Sequence, residues 1–308
     1  MRLLREGTAR HQLVQAKELA SSILHTSGAD PGITEADIVF GQPDPAALLQ
    51  HANIRWVHLT TAGYTRYDRD DLRQTLRARG TPLTNSSHVF DEPCAQHLAA
   101  MILALARQLP QSCANQLGAR AWLYNEHRAA SKLLNEQVVL IYGFGAIARR
   151  LVEILRPLQL RLVGVRRSIR GDEGIEMVTE AAADDMLGQA DHVLDILPEN
   201  PSTVGYFNAE RFGRCKAGAR FYNIGRGPTV DQEALLAALQ EGRLDAAYLD
   251  VTEPEPLPPE HPLWKAPNCF ICPHTGGGHH NEKDRLVLHF LANLKAFEAG
   301  EKLLDQVI

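Results

Sequence analysis

Several things are scarce in this sequence, and each shortage excludes a class of protein. Long apolar runs are missing. The longest lies near Leu98–Ala106, far short of the ~20 residues that span a bilayer, so a bundle of membrane helices is excluded. The N-terminus, Met1-Arg2-Leu3-Leu4-Arg5-Glu6-Gly7, holds no apolar stretch of signal-peptide type. A cytoplasmic location is therefore expected. Cysteine is sparse, and the five that occur are scattered. An odd, scattered set reads as free thiols rather than a disulfide framework. An excess of basic charge is also missing: 32 Lys and Arg are interspersed with 37 Asp and Glu, for a net charge of −5. A phosphate backbone needs a basic face, so nucleic acid is not an expected partner. There is no internal repeat and no low-complexity tract. The chain has 308 residues, 44% hydrophobic and 22% charged. That composition excludes a disordered or collagen-like chain and suggests a globular protein of about two domains.

Apolar runs and turn residues divide the chain into alternating strands and helices. In the first part, Asp37–Phe40 and Ile54–Leu59 read as strands, and Pro45–Gln50 and Asp70–Arg79 as helices. A longer helix is expected over about Glu92–Gln108, with Pro93 in its first turn. Val138–Tyr142 is a buried-type strand, followed by a glycine turn, a helix over Ile147–Leu155 and a second strand over Leu160–Val165. Further strands fall at His192–Leu197, Arg220–Ile224, Ala246–Asp250 and Phe270–Cys272. Helices fill the gaps, notably Gln232–Glu241, and a long amphipathic helix spans about Lys283–Glu298. This alternation predicts an α/β fold with doubly wound parallel sheets.

The glycine turn is Gly143-Phe144-Gly145-Ala146-Ile147-Ala148. Gly143 permits a tight turn, and Gly145 lets the backbone approach a pyrophosphate. Ala148 takes the third small position, where helix and sheet pack closely. The helix start, at Ala146 and Ile147, presents free N–H groups to phosphate. NAD-binding units place an acid at the end of the next strand, about 20 residues on. Here Arg166, Arg167 and Ser168 stand in that place, with no carboxylate. Two guanidiniums and a hydroxyl suit a 2′-phosphate, which favours NADP over NAD.

Three further segments each follow a strand, at the edge where open α/β sheets bind ligands. They are Asn223-Ile-Gly-Arg226-Gly227, Leu249-Asp250-Val-Thr-Glu-Pro-Glu255 and Cys272-Pro-His274-Thr-Gly-Gly277. Arg226 offers a planar fork for a carboxylate or carbonyl. His274 can carry a proton near neutral pH, and Glu255 can orient it. Cys269, Cys272, His274, His279 and His280 resemble a metal set. However, Cys269 and Cys272 are three apart in a strand and point to opposite faces, so no metal site is expected.

In order and spacing these motifs resemble the D-isomer-specific 2-hydroxyacid dehydrogenases, of the glyoxylate/hydroxypyruvate reductase or phosphoglycerate dehydrogenase-like kind. The resemblance runs from about Val57 to the C-terminus. It includes Gly227-Pro-Thr-Val-Asp231, Pro256-Leu-Pro258 and His261-Pro-Leu-Trp264. It implies a Rossmann dinucleotide-binding domain over residues 93–279. A discontinuous flavodoxin-like substrate domain would comprise residues 1–92 and 280–308. It further implies that Arg226 binds substrate, Glu255 pairs with His274, and His274 is the acid/base. Asp250 and Pro198 join the cofactor set. Thr61, Ala62 and Gly63 form the loop whose amides hold the substrate carboxylate, and Tyr64 lines the substrate pocket. The implied activity is NAD(P)-dependent reduction of a small 2-oxoacid such as glyoxylate or hydroxypyruvate, in a homodimer. Two alternatives stand beside it. One is oxidation of 3-phosphoglycerate, with Arg55, Arg66 or Arg69 supplying a phosphate pocket; no room remains after Ile308 for the regulatory domain of some such relatives. The other is a dinucleotide-sensing corepressor without turnover. Gln96-His97, Tyr64 and Asn85-Ser86-Ser87-His88 depart from the family pattern.

Overall fold

The computed structural model describes residues 2–16 and 30–308. The chain divides into two compact units, Met1–Phe90 with Gly278–Ile308, and Asp91–Gly277.

The smaller unit opens with helix α1 (Arg2–Gly7). Its sheet has three parallel strands in the order β1 (Ile38–Gly41), β2 (Trp56–Leu59), β3 (Leu83–Thr84). Helix α2 (Pro45–Gln50) starts where the Asp44 carboxylate accepts the Ala46 N–H. Helix α3 (Asp70–Arg79) stops at Gly80, whose φ of 66° is left-handed and whose amide turns back to Leu76 and Arg77. Val57, Leu59, Leu72 and Leu76 form one buried cluster with Leu48 and Ile54. The last helix, α11 (Glu282–Ala299), packs Phe290 and Leu294 on Trp56, with the Trp56 and Phe290 rings stacked at 5.2 Å. The C-terminal tail pairs with β3: Leu83 N–H donates to Ile308 and Val307 N–H to Leu83.

Helix α4 (Ser87–Ala106) starts five residues before the expected Glu92. The Asn85 side chain accepts the Ser87 N–H at 3.2 Å and its hydroxyl at 3.0 Å, an Asx turn that leads the chain into the helix at this point. Pro93 therefore lies inside the helix rather than in its first turn, and one internal hydrogen bond is forgone. Helices α5 (Leu109–Leu117) and α6 (Tyr124–Ala130) follow.

The larger unit carries a seven-stranded parallel sheet. Its strands are β4 (Val138–Tyr142), β5 (Arg161–Val165), β6 (Glu176–Val178), β7 (His192–Asp195), β8 (Ala219–Asn223), β9 (Leu244–Leu249) and β10 (Cys269–Ile271). Their order is β10-β9-β8-β7-β4-β5-β6. The chain winds outward from β4 in both directions, so the turns after β4 and β7 lie at the reversal point where such sheets bind ligands. Helices α7 (Ala146–Leu155), α8 (Glu180–Met186), α9 (Ala209–Arg214) and α10 (Gln232–Gln240) complete the unit. Its core runs along the sheet through Leu140, Val163, Val193, Phe221 and Ala247.

Candidate active site

The turn after β4 is shaped by contact. Gly143 has φ 89°, and a Cβ there would sit 2.5 Å from the Ile196 carbonyl oxygen. Only glycine meets both conditions. A Cβ on Gly145 would meet nothing within 4 Å. Gly145 caps α7 without a side-chain bond, so the amides of Ala146 and Ile147 open onto that free space. Ala148 is fully buried against the sheet. A phosphate fits this cradle: space above a glycine, at the positive end of a helix.

Arg166, Arg167 and Ser168 follow β5 on one turn. Arg166 is partly buried, and its Nη1 donates to Glu173 Oε1 at 3.2 Å. Arg167 is exposed, 3.6 Å from Glu180. Ser168 is exposed. Glu173 and Arg170 belong to the same loop and were not expected from the sequence. The Arg170 N–H hydrogen bond, with that of Gly171, holds the Glu173 carboxyl below the usual range despite its burial. Pro198 is exposed, just past β7 at Ile196-Leu197, and its carbonyl accepts the Thr203 hydroxyl at 2.7 Å.

The turns after β8, β9 and β10 bring Arg226, Glu255 and His274 together. His274 Nδ1 lies 2.9 Å from Glu255 Oε2. Glu255 Oε1 accepts the Thr252 N–H at 3.0 Å. Burial alone would raise the Glu255 carboxyl. The His274 hydrogen bond and charge, the Thr252 amide and the nearby Arg226 outweigh it, and the pKa falls below the ordinary value. Glu255 is therefore a carboxylate at neutral pH, suited to accept from Nδ1–H. That leaves Nε2 of His274 without a partner among the described residues.

Asp250 is buried. Its carboxylate accepts the N–H groups of Thr275 at 2.9 Å and Gly276 at 3.0 Å. The backbone of His274 is fixed on the other side by its own N–H, which donates to the Asp250 carbonyl at 2.8 Å. Asp250 thus holds both flanks of the histidine.

Arg226 stands on a similarly fixed turn. Its carbonyl accepts the Asn223 side chain at 3.0 Å and the Thr229 hydroxyl at 2.6 Å. Thr229 also lies 2.5 Å from the Asp195 carboxyl, which burial pushes up to about 7. The guanidinium reaches back to the Gly225 carbonyl at 2.6 Å. His97, on α4, contacts the buried Tyr248 hydroxyl through Nε2. Its partner could not be read from the sequence, because the two lie 151 residues apart.

In the smaller unit, the loop after β2 turns its carbonyls inward. Ala62 accepts from Asn85 at 2.6 Å, Gly63 from Thr61 Oγ1 at 2.7 Å, and Thr61 from the Ser86 N–H at 3.0 Å. The amides of Ala62 and Gly63 are left without acceptors among the described residues. Burial raises the Tyr64 phenol above its ordinary pKa, with Asp68 adding to the effect. Among the described residues no group of three His, Cys, Asp or Glu could hold a metal, and no helix is long and apolar enough to cross a membrane.

A dinucleotide-type turn and a histidine–carboxylate pair on one parallel sheet define a nucleotide-dependent oxidoreductase. Comparison with known proteins specifies the class. The profile described as D-isomer specific 2-hydroxyacid dehydrogenase, NAD binding domain, matches residues 99–276. Glyoxylate/hydroxypyruvate reductase B of Escherichia fergusonii is 32% identical over 263 residues, covering 83% of this chain and 79% of that protein. A D-isomer specific 2-hydroxyacid dehydrogenase from Xanthobacter autotrophicus Py2, solved in complex with NADPH and MES, superposes with a TM-score of 0.80. It is 27% identical, covering 100% of this chain and 93% of the other. Phosphoglycerate dehydrogenase from Lactobacillus plantarum superposes with a TM-score of 0.60, at 31% identity, covering 90% and 88%. The chain belongs to the D-isomer specific 2-hydroxyacid dehydrogenase family. It is an NAD(P)-dependent oxidoreductase acting on the CH–OH group of small 2-hydroxy acids.

Proposed function

We propose that the protein reduces a small 2-oxoacid, such as glyoxylate or hydroxypyruvate, and prefers NADP. The observation that carries the reading is the His274–Glu255 pair at 2.9 Å, with Nε2 unpartnered among the described residues. The bound nicotinamide cofactor supplies the hydride for C2. The imidazolium of His274 donates its Nε2 proton to the carbonyl oxygen as charge develops there and is left as the neutral Nδ1–H form, while Glu255, accepting from Nδ1–H, offsets the positive charge and fixes the ring's orientation. Arg226 polarises the carbonyl. The amides of Ala62 and Gly63 bind the carboxylate. Gly143, Gly145, Ala146 and Ile147 cradle the pyrophosphate, with Pro198 and Asp250 completing the cofactor set. Unit Asp91–Gly277 is read as the dinucleotide-binding domain and the other as the substrate-binding domain.

The cofactor preference rests on the end of β5, where Arg166 and Arg167 replace an acid that would repel a 2′-phosphate. A second reading, a phosphorylated substrate such as 3-phosphoglycerate, has one observation in its favour. Arg69 is bonded to Asp71, and Arg55 lies over Phe297. Arg66 instead sits 3.4 Å from Gln42, whose side chain donates to Thr61, and its buried Nη1 has no partner among the described residues.

Steady-state rates with NADPH and NADH on glyoxylate, hydroxypyruvate, pyruvate, a branched 2-oxoacid and phosphohydroxypyruvate test all of this. The expected result is the highest kcat/KM on glyoxylate or hydroxypyruvate, with KM about thirtyfold lower for NADPH than NADH, from a net ~2 kcal/mol. A maximum on phosphohydroxypyruvate selects the second reading. Equal or better kcat/KM with NADH refutes the cofactor preference. Cofactor binding without turnover on any acid indicates a regulator.

A further inference from the structure

The loop after β5 is built around one buried carboxylate. The Glu173 side chain is 1% exposed. Its Oε1 accepts the Arg170 N–H at 2.8 Å and Arg166 Nη1 at 3.2 Å; its Oε2 accepts the Gly171 N–H at 2.7 Å. Buried and saturated with donors, Glu173 is not a displaced version of the acid that bonds ribose hydroxyls in NAD sites. The same loop is tied from outside. Arg149 Nη1 donates to the Asp172 carbonyl and Arg156 Nη2 to the Gly174 carbonyl, each at 3.4 Å. The guanidinium of Arg170 is exposed and makes no hydrogen bond or ion pair among the described residues.

We infer that Glu173 is the positioning residue of the cofactor-specificity loop, holding Arg166 and the backbone that carries Arg170 so that both guanidiniums meet the 2′-phosphate of NADPH. This rests on the reading that the loop receives that phosphate. Two effects of Glu173 oppose each other. Its charge repels a phosphate, while its hydrogen bonds fix the groups that bind one. Fixation wins for two reasons. Arg166 gives up one N–H and keeps four. Removing the carboxylate orphans three donors at once, two of them backbone amides, and the loop then pays the ordering cost at binding.

Calorimetry on the full chain with adenosine 2′,5′-bisphosphate and adenosine 5′-phosphate separates the contributions without turnover. The unmodified protein binds the bisphosphate more tightly. Glu173→Gln replaces one accepting oxygen by an amide nitrogen that cannot accept. Affinity for the bisphosphate is expected to fall about tenfold, with the monophosphate within about twofold. Glu173→Asp keeps the charge but shortens the reach. It gives the same selective loss and carries the test if the Gln variant does not fold. A parallel loss for both probes makes Glu173 merely structural and overturns the inference. So does an unchanged or raised affinity for the bisphosphate. If the unmodified protein does not distinguish the probes, the NADP reading itself fails, and this inference with it.

Discussion

Gly227 and Thr252 approach so closely that a Cβ on the glycine would lie 1.9 Å from the threonine carbonyl oxygen and 2.2 Å from its carbonyl carbon. Both neighbours are backbone, so neither can rotate away. The contact joins the turn that carries Arg226 to the loop that carries Glu255, whose carboxylate accepts the Thr252 N–H. Gly227→Ala must force these segments apart. The expected cost is about 1–3 kcal/mol of stability, as for overpacking, together with reduced kcat. Thermal melting and steady-state kinetics measure both. An unchanged melting temperature would mean the two segments separate freely.

His274→Ala is expected to remove about 10²–10⁴-fold of kcat while NADPH affinity holds, the usual range for a lost general acid. Near-normal turnover would remove His274 from the mechanism. Glu255→Gln is expected to cost less. The neutral amide supplies no negative charge to offset the imidazolium, so kcat should fall while NADPH affinity holds. A kcat equal to that of the unmodified protein would remove Glu255 from the pair.

The segment of α5 and α6 leaves large apolar side chains in the open. Trp122 is 93% and Leu117 84% exposed, with Tyr124 and Leu133 also exposed. Large apolar side chains left this exposed suit an interface, and we propose that a second copy of the chain covers them in a homodimer. Trp122→Glu is expected to shift the protein to monomer in sedimentation equilibrium. A wild-type monomer at micromolar concentration would refute the homodimer.

His192 sets an acid limit on the larger unit. It is buried between Tyr222 and Gln137, 2.9 and 2.7 Å from its ring nitrogens. Burial, reinforced by Arg220, lowers its pKa from 6.5 to about 3. The unfolded chain therefore takes up a proton that the folded one refuses. Stability from this source is complete above pH ~6.5, falls as pH drops below that, and stops falling near pH 3. The loss at pH 5 is about 2 kcal/mol. Urea denaturation at pH 7 and pH 5 should show it, and His192→Gln should reduce the difference. Equal pH dependence in both proteins would mean that His192 is not the sensitive group.

The sequence was most readable where meaning is local. Val138–Leu155 shows a short apolar strand, two glycines and a helical period, and β4 and α7 fall there. Readability failed where meaning depends on distant residues. Strand β3 is two residues long and is completed by Val307 and Ile308, which no window around Leu83 contains. The start of α4 lies upstream of Pro93, the more familiar signal, where the Asn85 Asx turn acts through one side chain. Helices α5 and α6 are short, with no buried residues, so they lack the apolar stripe that marks a helix. At the site, Arg226, Glu255 and His274 stood out beside strand ends and glycines. Glu173 did not, because a glutamate in a polar loop gains significance only once the loop closes over it.

The return of the chain to the smaller unit has a consequence in time. During synthesis, residues 91–277 are finished before α11 exists, so the larger unit can fold while the smaller one still waits. Until α11 emerges, Trp56 has neither Phe290 nor Leu294 to cover it, and β3 lacks its tail. A ribosome that stalls after residue 277 would therefore display a finished nucleotide fold beside an open, sticky half-domain. That is the species on which a chaperone would act.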